Sequence, residues 1–339
     1  LAAEDENEDE DEKKLYQLQL RIRLRSHIPA FRKSSGFARM QTRVGCALAA
    51  AFLISLNGAF AAEHPKVNAN GTATEEATET ETGGDQAAEL AKQLQNPVAS
   101  LISVPFQNNF EFNLGPTGDG FKYTLNFQPV IPVSLTQDYN LIIRTIVPII
   151  SQDDVIPGAS QSGLSDITQS FFFSPKKPVG GLILGFGPVF LYPSATDSLL
   201  GTEKWGAGPT GLVLKQTGGW TYGLLFNQIW SYAGDDHRDY VSSTFLQPFI
   251  SYTTKTHTTF GANTESTYDW HNSQWTVPIN LFVSQLIKLG KMPVSLGLGV
   301  KYYAEAPQGG ADWGVRFIVT PLFPTGKPKP GPISETSAK

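Results

Sequence analysis

Cysteine is nearly absent from the chain. Cys46 is the only one in 339 residues, so no disulfide framework and no cysteine-based zinc site can form. Charge of one sign is scarce as well. The net charge is −5, with 17% charged residues, which gives no footprint for a nucleic-acid partner. Long apolar runs are missing beyond one, and that one is short. Val44–Leu56 falls below the roughly 20 apolar residues that a spanning helix needs. If the rest of the chain meets a membrane, it does so as a closed β-barrel, because only helices and closed barrels satisfy their backbone in lipid.

The short run is expected to be an address. Met40 and Arg43 precede it, Asn57-Gly58 breaks it, and Ala59-Phe60-Ala61 offers the small-x-small pattern of a signal-peptidase site. Residues 40–61 therefore read as a signal peptide. Residues 1–39, with an acidic block (Glu4–Glu12) and a basic block (Arg21–Arg32), read as leader translated upstream of the true start. Residues 62–103 read as a periplasmic linker with a short helix over Gln86–Gln95, capped by Asp85. Gln86–Leu101, this helix with the apolar stretch that follows, is left open between two roles: a plug folded into a barrel lumen, or a tether on the periplasmic side.

From Val104 the texture changes. In FKYTLNFQPVIPV, Phe121, Tyr123, Leu125, Phe127, Ile131 and Val133 share one face, while Lys122, Thr124, Asn126 and Gln128 share the other. Period-2 alternation of this length means strands with one apolar and one polar side. About twelve such strands are expected, at 104–114, 121–134, 139–150, 164–174, 181–191, 207–216, 219–232, 241–253, 256–267, 274–287, 293–304 and 312–323. Their connections alternate between short turns and generally longer loops, the longest including Ser151–Gly163 and Tyr192–Gly206, as in outer-membrane barrels. The fold class expected is all-β, an antiparallel transmembrane barrel over residues 104–323, followed by a flexible tail over 324–339.

Aromatic spacing supports the barrel over a soluble sandwich. Trp220 opens one strand, and Trp230 and Tyr232 close it on the same face. Ten residues at about 3.3 Å each, tilted by about 40°, give roughly the 25 Å height of a lipid-facing band between two aromatic girdles. Trp313 and Phe323 repeat that spacing, and Trp275 joins the girdle set. Prolines 129, 132, 148, 188, 209, 248, 278 and 321 fall inside the expected strands. They are expected at bulges and strand ends, or at a gap in the wall.

The lumen is the candidate site. Glu111, Lys122, Arg144, Asp166, Glu265, Lys301 and Arg316 lie on the polar faces of their strands, with Gln107, Asn109, Asn113, Asn126, Gln128, Asn227 and Asn280. Inward Ile142, Ile146, Phe172 and Phe282 make the lining mixed, and inward glycines such as Gly185, Gly187, Gly297 and Gly299 leave room. No catalytic residues, metal ligands or cofactor are assigned: the histidines lack ligand spacing, and the Gly185-Phe186-Gly187 pattern opens no helix. Asp153, Asp154, Asp235, Asp236, Asp239 and Asp269 make the longer loops acidic, and Lys176, Lys177, Lys255, Lys288 and Lys291 make several short turns basic.

NPVASLISVPFQNN, QPVIPVSL, RTIVPIISQ, GFGPVFLYPSATD, KWGAGPTGLVL, QPFISY, WTVPINL and DWGVRFIVTPLF resemble a family of proteobacterial outer-membrane proteins labelled transporters. Some of these are misnamed neuromedin U, and they are related to the barrel family named for the meta-pathway of phenol degradation. The resemblance spans about residues 86–323. It implies a barrel in the Gram-negative outer membrane that passes small, aromatic compounds; the mixed inner face and the strand prolines extend the expected solutes to apolar ones. Outer-membrane lipid, lipopolysaccharide, a small-molecule solute and the barrel-assembly machinery would be its partners. It supplies no ligand residues. The alternative is a structural or interaction barrel with a filled lumen.

Overall fold

The structure, a computed structural model, describes residues 87–324. The expected leader, signal peptide, most of the linker and residues 325–339 of the tail lie outside the described residues. Among the described residues no helix is long and apolar enough to cross a membrane. The chain forms instead one antiparallel sheet of sixteen strand segments that closes on itself. In chain order these are β1 (Leu101–Ser103), β2 (Phe106–Leu114), β3 (Gly120–Phe127), β4 (Val130–Ser134), β5 (Tyr139–Ile156), β6 (Ala159–Leu164), β7 (Ile167–Pro175) and β8 (Ile183–Tyr192). They continue with β9 (Lys204–Thr217), β10 (Trp220–Gly234), β11 (Ser242–Thr253), β12 (Thr258–Thr264), β13 (Ser266–Asp269), β14 (Gln274–Leu289), β15 (Met292–Glu305) and β16 (Trp313–Pro324). The pairs β1/β2, β3/β4, β6/β7 and β12/β13 are each one wall strand interrupted once. The barrel therefore has twelve strands.

Closure is made by the first and last strands. Trp313 to Val319 pair with Phe112 to Phe106, and Leu322 to Pro324 pair with Ser103 to Leu101. The wall thus starts at Leu101, three residues before the expected boundary. A closed sheet has no unpaired edge, which lets it sit in lipid.

The apolar faces point outward. Ile131, Val133, Phe226, Ile250, Phe260, Leu281 and Val300 are exposed on the outer surface, where soluble proteins would hide them. Trp220 packs against Tyr252 at one rim (centroids 5.0 Å), while Trp313 stacks on Phe112 and Trp275 tilts against Tyr268 at the other. Trp230, Tyr232 and Phe323 are about half exposed or more. All six expected girdle residues therefore face outward. Trp205, Tyr302 and Phe186 join them on the outer surface.

Two expectations are corrected. Ser151–Gly163 is not a loop: β5 and β6 continue through it to a tight turn at Pro157-Gly158, where Gly158 takes φ 72°. Gln152 and Gln161 pair side by side there, with Gln161 Oε1 accepting from Gln152 Nε2 at 2.8 Å. This hairpin has no apolar outer face, so hydrophobic alternation could not mark it. Asn113, expected in the lumen, instead sits on a bulge between β2 and β3 with φ 63°, and its amide reaches Asp312 at the rim.

The prolines divide: Pro278 sits at a register shift, as expected, while others interrupt the ladder without one. The registers across Pro105, Pro129 and Pro321 are continuous, with no inserted residue. The ladder is simply missing bonds, because proline has no N–H to donate. The neighbours still use the proline carbonyls. Gln128 N donates to Pro105 O at 2.9 Å, Thr145 N to Pro129 O at 3.1 Å, and Val104 N to Pro321 O at 3.1 Å. Pro148 O accepts from Ser165 N at 2.9 Å, and here the register does slip by one between β6 and β7 against β5. These interruptions fall on five neighbouring wall strands: β16, β1/β2, β3/β4, β5 and β6/β7.

Candidate functional site: the barrel lumen

A helix over residues 87–94 and the segment after it close the end of the barrel that carries the short turns. Ala91, Ala99 and Leu101 are buried against Leu286 and Leu322. Val98 goes further in. It joins Ile142, Phe172, Leu212, Leu214 and Leu225 in the largest buried apolar cluster, every other member of which comes from an inward strand face. Gly185 makes the approach feasible: a Cβ there would lie 3.1 Å from Val98 Cγ1 and 3.3 Å from Phe172 Cβ. Gln216 donates to Lys92 O at 2.9 Å, and Asn140 to Ser100 Oγ at 2.8 Å, which ties the segment's backbone and side chains to the wall. The segment is seated as a plug rather than as a tether outside the barrel.

Beside the plug lies a cavity of about 490 Å³, within the size range of small-ligand pockets. Leu94 and Gln95 of the plug form part of its lining. Ile146, Ile229, Phe245 and Phe282 line it together with Arg144, Glu265, Lys301 and Arg316. The lining is mixed, as a narrow non-porin lumen would be.

The expected lumen charges fall into two bound groups and two separate positions. Glu111, 8% exposed, accepts from Lys301 Nζ at 2.8 Å and Tyr303 OH at 2.5 Å, with Lys122 Nζ at 3.4 Å. Glu265 takes both arms of Arg316, at 2.9 and 2.6 Å, while Arg316 Nε donates to Asn109 Oδ1 at 2.7 Å. That bidentate pair bridges from the β12/β13 strand, at its interruption opposite Pro278 in the register, to β16. Fork-on-carboxylate pairing of this kind is strong and directional. Arg144 makes no ion pair, although Glu265 acts on its charge at longer range; its guanidinium donates to Gln128 Oε1 at 3.1 Å. Asp166 is also separate. It lies toward the long-loop end and accepts from Thr202 N and Thr202 Oγ1 (both 2.6 Å) and from Ala195 N (3.3 Å), clamping the 193–203 loop.

Alternation alone places these seven residues on a face. Their partners depend on strand stagger, which the sequence does not display. The sequence raises the plug segment as a candidate but does not single out Val98, because NPVAS has no period. Among the described residues no group of three metal-ligating side chains comes together. His257 lies in a short turn with φ 64°.

No protein-family model matches the chain, and no curated protein matches it. Solved structures do. An outer membrane channel from Pseudomonas putida F1 superposes with a TM-score of 0.53 at 15% identity, over 66% of this chain and 96% of that one. The fold is that of an outer-membrane β-barrel. The NanC porin (TM-score 0.41, 9% identity, 66% of this chain and 98% of that) and outer membrane phospholipase A from Escherichia coli (TM-score 0.41, 12% identity, 71% and 97%) are more distant resemblances.

Proposed function

We propose that the protein is a passive channel of the Gram-negative outer membrane for small apolar or aromatic molecules, and not an enzyme. The observation that carries this reading is the plug. Val98 and its apolar neighbours block the straight aqueous path at the short-turn end, while a mixed cavity stays open beside them. A porin needs a continuous polar path; an apolar solute needs a shielded one. The interrupted ladder at Pro105, Pro129, Pro148 and Pro321 supplies the exit. Fewer backbone bonds hold those strands together, which lowers the cost of opening the wall there. The solute would leave sideways from the cavity, past the plug.

The short turns and the plug face the periplasm in this reading, and the longer acidic loops face lipopolysaccharide. The channel resemblance supports the reading at the level of the fold. The rival reading is a structural barrel whose ion-pair network fills the lumen, favoured by the Glu111 and Glu265 clusters. Uptake of phenol-like solutes and of sugars of similar size, compared between a deletion strain and the parent, separates the two. Slower uptake of the phenol-like solutes alone is expected. If neither changes while envelope integrity fails, the structural reading replaces this one.

A further inference from the structure

The cavity carries a specific charge imbalance. Of the charged residues lining it, Lys301 is paired with Glu111 and Arg316 with Glu265. Both oxygens of Glu265 are taken by the Arg316 fork. Arg144 is left with one neutral acceptor, Gln128 Oε1 at 3.1 Å. Among the described residues no carboxylate lies within ion-pair distance of it. A half-buried guanidinium with a single hydrogen-bond partner has donors to spare, and its planar fork matches a carboxylate.

Its position adds a second argument. Arg144 is directly paired with Val130 in the ladder, next to the Pro129 interruption. Its neighbour Thr145 donates to Pro129 O. Two residues along the same strand face, Ile146 lines the cavity, with Phe245, Ile229 and Leu94 completing an apolar surface. A cation with spare donors beside the apolar part of a mixed cavity suits a molecule with one anionic head and an apolar body.

We propose that the lumen holds a subsite for apolar or aromatic monocarboxylates, with the carboxylate on the Arg144 fork and the body against Ile146, Phe245 and Ile229. This rests on the channel reading and narrows its solute class. A single guanidinium balances one negative charge, so a monoanion fits better than a phosphate dianion. The headgroup would sit at the edge of the interrupted wall, where the apolar body could pass outward first.

The test uses the full barrel in lipid nanodiscs, with empty nanodiscs as blank, and three probes on one skeleton: 3-phenylpropanoate, 3-phenylpropanol and 3-phenylpropylammonium. Calorimetric titration should show the carboxylate binding about ten-fold or more tightly than the alcohol, with the ammonium weakest. Arg144→Gln should bring the carboxylate down to the affinity of the alcohol and leave the alcohol unchanged. Arg144→Lys should recover only part of the preference, since an ammonium lacks the fork. Heat-modifiable gel mobility checks that each variant is a folded barrel. Equal binding of carboxylate and alcohol by the parent protein, or a preference that survives in Arg144→Gln, overturns the subsite while leaving the channel reading standing. Binding of none of the three probes also overturns the subsite, while the uptake comparison decides the channel reading.

Discussion

Val98 is the position at which the plug is most sensitive. Its side chain is 5% exposed and surrounded by Ile142, Phe172, Leu212, Leu214 and Leu225. Val98→Ala removes two carbons from that cluster. At about 0.8 kcal/mol per buried carbon, plus a cavity contribution, the docked plug loses about 2 to 3 kcal/mol. At about 1.4 kcal/mol per factor of ten, the undocked fraction rises about 30-fold to 150-fold. Val98→Asp goes further, because an unpaired carboxylate in an apolar cluster costs several kcal/mol, and releasing the plug relieves that cost. The assay is single-channel recording in planar bilayers. The parent should open rarely. Val98→Ala should open far more often, and Val98→Asp should approach the conductance of a variant lacking residues 62–98. The barrel wall does not depend on Val98, so heat-modifiable mobility should persist in all three. If all three conduct like the parent, the plug does not control the lumen and the reasoning is wrong.

Other predictions follow from the bound charges and the loop clamp. Glu265→Gln leaves Arg316, 7% exposed at its side chain, without its counter-ion; breaking such a pair costs about 3 kcal/mol or more, so the temperature at which the barrel loses its heat-modifiable mobility should fall clearly. An unchanged transition would mean the pair is solvated rather than structural. Asp166→Ala removes the acceptor that holds Thr202 and Ala195. Limited proteolysis of intact cells should then cut within residues 193–203, where the parent is resistant, and equal resistance would show that Arg238, which donates to Gly201 O at 2.5 Å, suffices alone.

Much of the wall was legible in the sequence because lipid imposes a simple rule. A strand that faces lipid on one side and a lumen on the other must alternate, and Trp220 and Trp230 stand on the outer face toward the two ends of β10. The rule stops at the membrane surface. The Gln152–Gln161 hairpin continues the sheet beyond it, where both faces are wet, so Asp153 and Asp154 read as loop. Proline was legible as an anomaly but not as a pattern. That Pro105, Pro129 and Pro321 meet in continuous register depends on the stagger between strands. The same stagger decides that Arg316 meets Glu265, 51 residues away, while Arg144, on an equally polar face, meets only Gln128. Val98 was least legible, since a plug residue is defined by the cavity that receives it.

The central claim is that solutes leave through the interrupted wall, and a reversible lock tests it most directly. Ser103 and Val130 are direct ladder partners beside the Pro105 and Pro129 interruptions. Paired Cα atoms in an antiparallel ladder lie about 4.5 to 5.5 Å apart, within disulfide reach. The double variant Ser103→Cys, Val130→Cys should staple β1/β2 to β3/β4 when oxidised. Uptake of a phenol-like solute by cells carrying only this variant should fall to the level of the deletion strain, and a reductant should restore it. Uptake at the parental rate with the disulfide formed would contradict the account.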